Sequence, residues 1–197
     1  MIQLRDLAVG YDKHNPVLTD LNYKFDKKIY GIVGQSGVGK TTTLKTIAKL
    51  IPPLHGYIIV PEHEHVYMMH QHYTCFDWLD CLDNILIAKK IISRKITDDD
   101  YKNAFEALEK VGLQKNRNQY PSELSGGMRQ RLALARTIFV KPDVILMDEP
   151  LSSLDEELRR EMQNLILNLH KETNNTIIMV THSQEDMDYM CDRIWRI

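Results

Sequence analysis

Apolar residues come in short blocks over the first part of the chain. Residues 2–9, 21–25 and 29–33 each carry closely spaced Ile, Leu, Val or Phe and predict strands, with turns at 12–16 and 26–28. From Lys40 the spacing changes: Leu44, Ile47, Ala48 and Ile51 recur at helical intervals until Pro52 and Pro53 stop them. Residues 56–60 and 66–69 predict two further strands. Between residues 77 and 113 the texture is helical, with Thr97 and Asp100 spaced as a capping box and Gly112 as a C-cap. The apolar run 144–147, flanked by Pro142 and Asp148, has the continuity of a parallel strand covered on both faces. Leu158, Met162, Leu165, Ile166 and Leu169 then mark an amphipathic helix. Residues 176–180 predict another buried strand, Ser183 and Asp186 open a helix with a second capping box, and 194–197 predict a last strand.

Composition narrows what such an alternating pattern does. The chain has 197 residues and 43% hydrophobic content, enough for one domain with a real core. Its 25 basic and 27 acidic residues leave a net charge of −2, and no basic block supplies the electrostatic footprint of a nucleic-acid binder. No apolar run is long enough to span a bilayer, and residues 1–5 lack the apolar stretch of a signal peptide, so a cytosolic chain is expected. Cys75, Cys81 and Cys191 form no CxxC pair, are odd in number and read as reduced thiols.

Two glycine-bearing segments carry the chemistry. Gly34-Gln35-Ser36-Gly37-Val38-Gly39-Lys40-Thr41 stands between a predicted strand and a predicted helix. There the glycines let backbone N–H groups fold around phosphate oxygens, helped by the positive end of the helix. Lys40 is positioned for the β- and γ-phosphates, and the Thr41 hydroxyl for Mg²⁺, which prefers oxygen ligands. Leu124-Ser125-Gly126-Gly127-Met128 is the second segment, offering a hydroxyl and backbone N–H groups at a helix N-terminus. Asp148 and Glu149 emerge at the C-terminal end of the strand 144–147, where ligands bind in open α/β sheets. Asp148 is read as a Mg²⁺ ligand through water, and Glu149 as the base for an attacking water. His182 follows the second buried strand and is placed to bond a γ-phosphate oxygen.

In their order along the chain these residues resemble the nucleotide-binding domain of ABC-type ATPases, over essentially the whole length. Residues 34–41 match the Walker A loop, Gln71 the Q-loop and 124–128 the signature. Residues 144–149 match Walker B, Ser153-Leu154-Asp155 the D-loop, His182 the switch histidine, and Tyr11 the aromatic residue that stacks on adenine. The resemblance implies an α/β fold, a P-loop NTPase of ABC type. Its mixed sheet core would carry an N-terminal antiparallel β subdomain and an inserted helical subdomain. In a single domain over 1–197, approximately 1–76 and 126–197 would form the catalytic core and approximately 77–125 the helical insertion.

It further implies ATP and Mg²⁺ as cofactors. Glu149, His182 and Gln71 would be catalytic. Tyr11, Gly34, Ser36, Gly37, Gly39, Lys40, Thr41, Thr42, Ser125, Gly126, Gly127 and Asp155 would hold nucleotide, and Thr41, Gln71 and Asp148 the metal. Ser125, Gly126 and Gly127 of one subunit would close over ATP held by Lys40 of another, in a head-to-tail homodimer or a dimer with a related ATPase subunit. The expected partners are transmembrane permease subunits on the cytoplasmic face of the membrane, with no nucleic acid. Met128 with Arg129-Gln130-Arg131, and Phe76-Asp77-Trp78-Leu79, resemble the nitrate, sulfonate and taurine importer branch.

Other readings of the same residues remain at this stage. Phe76, Trp78, Leu79, Leu82 and Ile85 either line a groove for a partner's helix or pack inside the helical insertion. His63, His65, His70 and His72 near Glu62 and Glu64 suggest a metal site, but no cysteine completes a tetrahedral set, and the segment overlaps the approach to Gln71. The chain departs from the family pattern at Met128, where many members have Gln, and at Asp26-Lys27-Lys28, which lacks a common glycine. Ending at Ile197, it is expected to lack a C-terminal regulatory domain. A soluble ABC-type machine for DNA repair or translation would normally show a long coiled-coil arm, for which the span from Gln71 to Leu124 is too short. A P-loop small-molecule kinase would need an acceptor pocket and a lid, and the signature and Glu149 argue against it.

Overall fold

The structure of the chain is a computed structural model that describes residues 1–69, 75–93, 95–152 and 154–197. The polypeptide forms two compact units, one of Met1–Gln71, Pro142–Ser152 and His170–Ile197, the other of His72–Lys141 and Ser153–Leu169.

The first unit holds two sheets. β1 (Ile2–Val9) lies between β2 (Leu18–Phe25) and β4 (His55–Ile59), antiparallel to both. The second sheet has the order β5-β6-β7-β3-β8, with every pairing parallel. It comprises β3 (Ile29–Val33), β5 (Val66–Met69), β6 (Val144–Asp148), β7 (Thr176–Val180) and β8 (Arg193–Arg196). The expected mixture of strand directions is thus realised as one antiparallel and one parallel sheet. All five residues of β3, β6 and β7 are buried, as a strand covered on both faces requires. One face sends Tyr30, Ile32, Val144, Leu146, Ile178 and Val180 into a core that Phe25, Leu44, Ile47 and Trp195 complete.

α1 (Lys40–Ile47) follows β3 and stops four residues before the apolar spacing does. Lys49 adopts a left-handed conformation at φ 59°, and the Leu50 N–H turns back to the Lys45 carbonyl, so Ile51 lies beyond the helix. β2 in turn begins at Leu18, ahead of its densest apolar stretch. α6 (Gln184–Met190) completes the first unit, with Ser183 as its N-cap.

In the second unit α2 (Cys81–Ser93), α3 (Asp98–Lys110) and α4 (Gly126–Val140) pack pairwise around Ile85, Leu86, Leu108 and Leu132. Thr97 and Asp100 form the predicted capping box of α3. Its C-cap is Val111, and Gly112, at φ 70°, takes the left-handed position after it, where the Leu113 N–H reaches the Leu108 carbonyl. α5 (Glu156–Thr173) crosses from the second unit to the first at His170. Among the described residues no helix is long and apolar enough to cross a membrane.

Candidate functional site

In the parallel sheet β3 neighbours β7, which neighbours β6, so three consecutive strand ends deliver the predicted residues to one edge. β3 runs into the glycine loop, β6 ends at Asp148, and β7 leads to His182. The Glu149 N–H donates to the Val180 carbonyl at 3.0 Å, tying two of these ends together.

Gly39 joins the loop to α1 at φ 116°, and a Cβ there would stand 2.6 Å from Val17 Cγ1, so only glycine fits. As the N-cap it has no side chain to offer α1, whose first N–H groups are left for an anion. Lys40, almost fully buried, donates through Nζ to the Gly34 carbonyl at 3.0 Å and the Gln35 carbonyl at 2.8 Å. The third ammonium proton remains for a ligand. Thr41 Oγ1 donates to Asp148 Oδ1 at 2.9 Å, bringing together two hard oxygen ligands from distant parts of the sequence. His182 Nε2 lies 3.2 Å from Glu149 Oε1. Glu149 itself sits at φ 48°, a conformation that costs a non-glycine residue roughly 1–2 kcal/mol.

Ser36, Gly37, Gly39, Lys40, Thr41, Thr42, Glu149 and His182 line one cavity of about 220 Å³. A cationic floor of Lys40 and helix N–H groups faces a carboxylate and an imidazole across it. That arrangement suits a polyphosphate with a water held at its terminal phosphorus. Tyr11 is exposed in the turn after β1 and is not among the lining residues.

Ser125, Gly126, Gly127 and Asp155 belong to the second unit. Ser125 caps α4, its Oγ accepting from the Met128 N–H at 3.2 Å, which leaves the hydroxyl proton to donate. Arg129 braces the turn by donating to the Leu124 carbonyl at 2.7 Å. A Cβ on Gly127 would collide with Leu158 Cδ2 at 2.2 Å, whereas one on Gly126 would meet nothing within 4 Å among the described residues. Asp155 Oδ1 accepts from the Leu158 N–H at 2.9 Å and so caps α5. Gln71 and Ser153 of the predicted Q- and D-loops, with His70 and His72, lie outside the described residues. His63 stands in a turn before β5, not on a strand, and no group of three or more His, Cys, Asp or Glu able to hold a metal occurs among the described residues.

The aromatic segment divides between the two readings offered for it. Ile85 is buried in the helical core, while Trp78 is 73% exposed and meets Phe76 edge to face. Asn84, fully buried, accepts from the Phe76 N–H and donates to the carbonyls of Phe76, Leu79 and Asp80. Neither this staple nor the bracing by Arg129 leaves a periodic signal, and both escape sequence reasoning.

The ABC transporter family profile matches residues 18–152. The spermidine/putrescine import ATP-binding protein PotA of Trichodesmium erythraeum is 37% identical over 203 residues, 98% of this chain and 53% of that protein. The aliphatic sulfonates import ATP-binding protein SsuB 1 of Shouchella clausii is 36% identical, with 92% and 71% covered. The taurine import ATP-binding protein TauB of Jannaschia sp. is 36% identical, with 98% and 76% covered. The chain therefore spans about half the length of some relatives and about three quarters of others. In three dimensions it resembles a dimeric, post-hydrolysis structure of the ATP-binding cassette MJ0796 bound to ADP and Pi, with a TM-score of 0.88 at 25% identity, covering 100% of this chain and 94% of that one.

Proposed function

The chain belongs to the ABC transporter family, and from that premise we propose that it binds and hydrolyses ATP to drive an importer whose membrane-spanning part is a separate permease. The observation that carries this reading is the convergence of Lys40, Thr41, Asp148, Glu149 and His182 on one edge of a parallel sheet.

In this reading the loop 34–41 wraps the triphosphate, Lys40 turns from its two backbone carbonyls to the β- and γ-phosphates, and Tyr11 stacks on the adenine. Glu149 accepts a proton from the attacking water, within reach of His182, which bonds the γ-phosphate. Thr41 and Asp148, with Gln71, would hold Mg²⁺, which when bound neutralises phosphate charge. Their adjacent hydroxyl and carboxylate suit that hard cation.

A second copy, or a related subunit, supplies the signature turn. Open space at Gly126 supports this, since among the described residues nothing stands where a Cβ would. The structural likeness to a dimeric cassette supports it too. The exposed Trp78, on the segment stapled by Asn84, is the proposed anchor for the permease, which would hold the chain at the cytoplasmic face of the membrane. The names of its relatives favour import, and those of sulfonate and taurine systems fit the branch suggested by the residues around Met128 and Trp78.

Steady-state hydrolysis of MgATP by the purified chain, with and without Glu149→Gln, tests the proposal. Turnover in the native chain and its loss in the variant are expected. Equal rates in both would remove Glu149 from the reaction.

A further inference from the structure

His182 has to point accurately, yet its side chain is 49% exposed. β7 ends at Val180 and α6 begins at Gln184, so Thr181, His182 and Ser183 form a three-residue corner. Of the polar residues that follow β7, Thr181 is 5% exposed and Asp186 2%. Thr181 Oγ1 accepts from the Ser183 N–H at 3.1 Å and donates to Asp186 Oδ2 at 3.1 Å. Ser183 Oγ in turn accepts from the Asp186 N–H at 3.2 Å.

We infer that Thr181 and Asp186 are a positioning pair for His182, clamping the corner so that its imidazole reaches Glu149 and the γ-phosphate. A helix cap alone requires only Ser183 and the N–H of Asp186. The Thr181 hydroxyl adds a link that passes over His182, from the end of the strand to the first turn of the helix. Threonine suits the place because its branched side chain is stiff about χ1. Both functions of its hydroxyl are used, one as donor and one as acceptor. The direction of the Cα–Cβ bond of His182 is thereby set by buried groups, although the ring itself stands in the open cavity. The inference rests on the proposed contact of His182 with the reacting phosphate.

The test compares Thr181→Val, Thr181→Ser and His182→Ala in the full chain, measuring kcat, KM for MgATP and Tm. Thr181→Val should lower kcat about tenfold or more, the scale on which misplaced catalytic groups act, with KM little changed and Tm lowered by the loss of two buried hydrogen bonds. Thr181→Ser, which keeps the hydroxyl, should restore the rate, and Thr181→Val should cost nothing further in a His182→Ala background. An unaltered kcat in Thr181→Val, or an equal loss with His182 already removed, would overturn the positioning role while leaving His182 in place. Full turnover in His182→Ala would instead overturn the contact on which the inference stands, and the positioning role with it.

Discussion

Lys40 and Glu149 are each held by identifiable partners before any nucleotide arrives. Lys40 rests on two carbonyls of its own loop, and a triphosphate must offer it more than these. Lys40→Ala should therefore abolish ATP binding, read by fluorescence of a labelled nucleotide, at a stability cost of about 1–3 kcal/mol, the scale of two such hydrogen bonds. Glu149→Gln should retain ATP and lose about a hundredfold or more in turnover, the range of general-base catalysis. Away from the site, burial pushes the Cys81 and Cys191 thiols up to about 12 from an ordinary value of 9.0, and nearby Asp80 and Asp186 add to the push. Being raised in the fold, they favour the native state fully below pH 9 and progressively less as the pH climbs toward 12. Iodoacetamide at pH 8 should label neither thiol in the native chain and both in urea.

At the scale of elements, the two glycines of the turn before α4 serve different needs. Gly127 packs α4 against Leu158 of α5, and Gly127→Ala should cost roughly 1–3 kcal/mol by overpacking, measurable as a lower urea midpoint. Gly126→Ala, with room for its methyl group, should leave that midpoint unchanged. β1, β3, β5 and β7 were legible to the residue because their apolar runs are compact and bounded by turn-forming residues. α1 was not, since Leu50 and Ile51 continue a helical spacing although Lys49 has already turned left-handed. Local periodicity does not register a left-handed residue such as Lys49 or the bond from the Leu50 N–H back to the Lys45 carbonyl. Of the site, the placing of Lys40 and Thr41 was legible because the glycine loop leads to them from the end of β3, and that of Asp148, Glu149 and His182 because they stand at or just beyond the ends of β6 and β7. Thr181 was not, because its importance comes from a hydroxyl bond to Asp186 that no spacing rule marks.

For the whole molecule, the decisive feature is that one chain carries two glycine turns that each open a helix, one at the start of α1 and one at the start of α4. The proposal gives them to the same nucleotide in different copies, so Ser125→Arg should leave ATP binding intact and stop both dimer formation and hydrolysis. Sedimentation of the Glu149→Gln chain is the most direct test, because the variant holds ATP without consuming it. With MgATP it should move as a dimer that Ser125→Arg returns to monomer. A stable monomer with ATP bound would contradict an active site assembled from two copies.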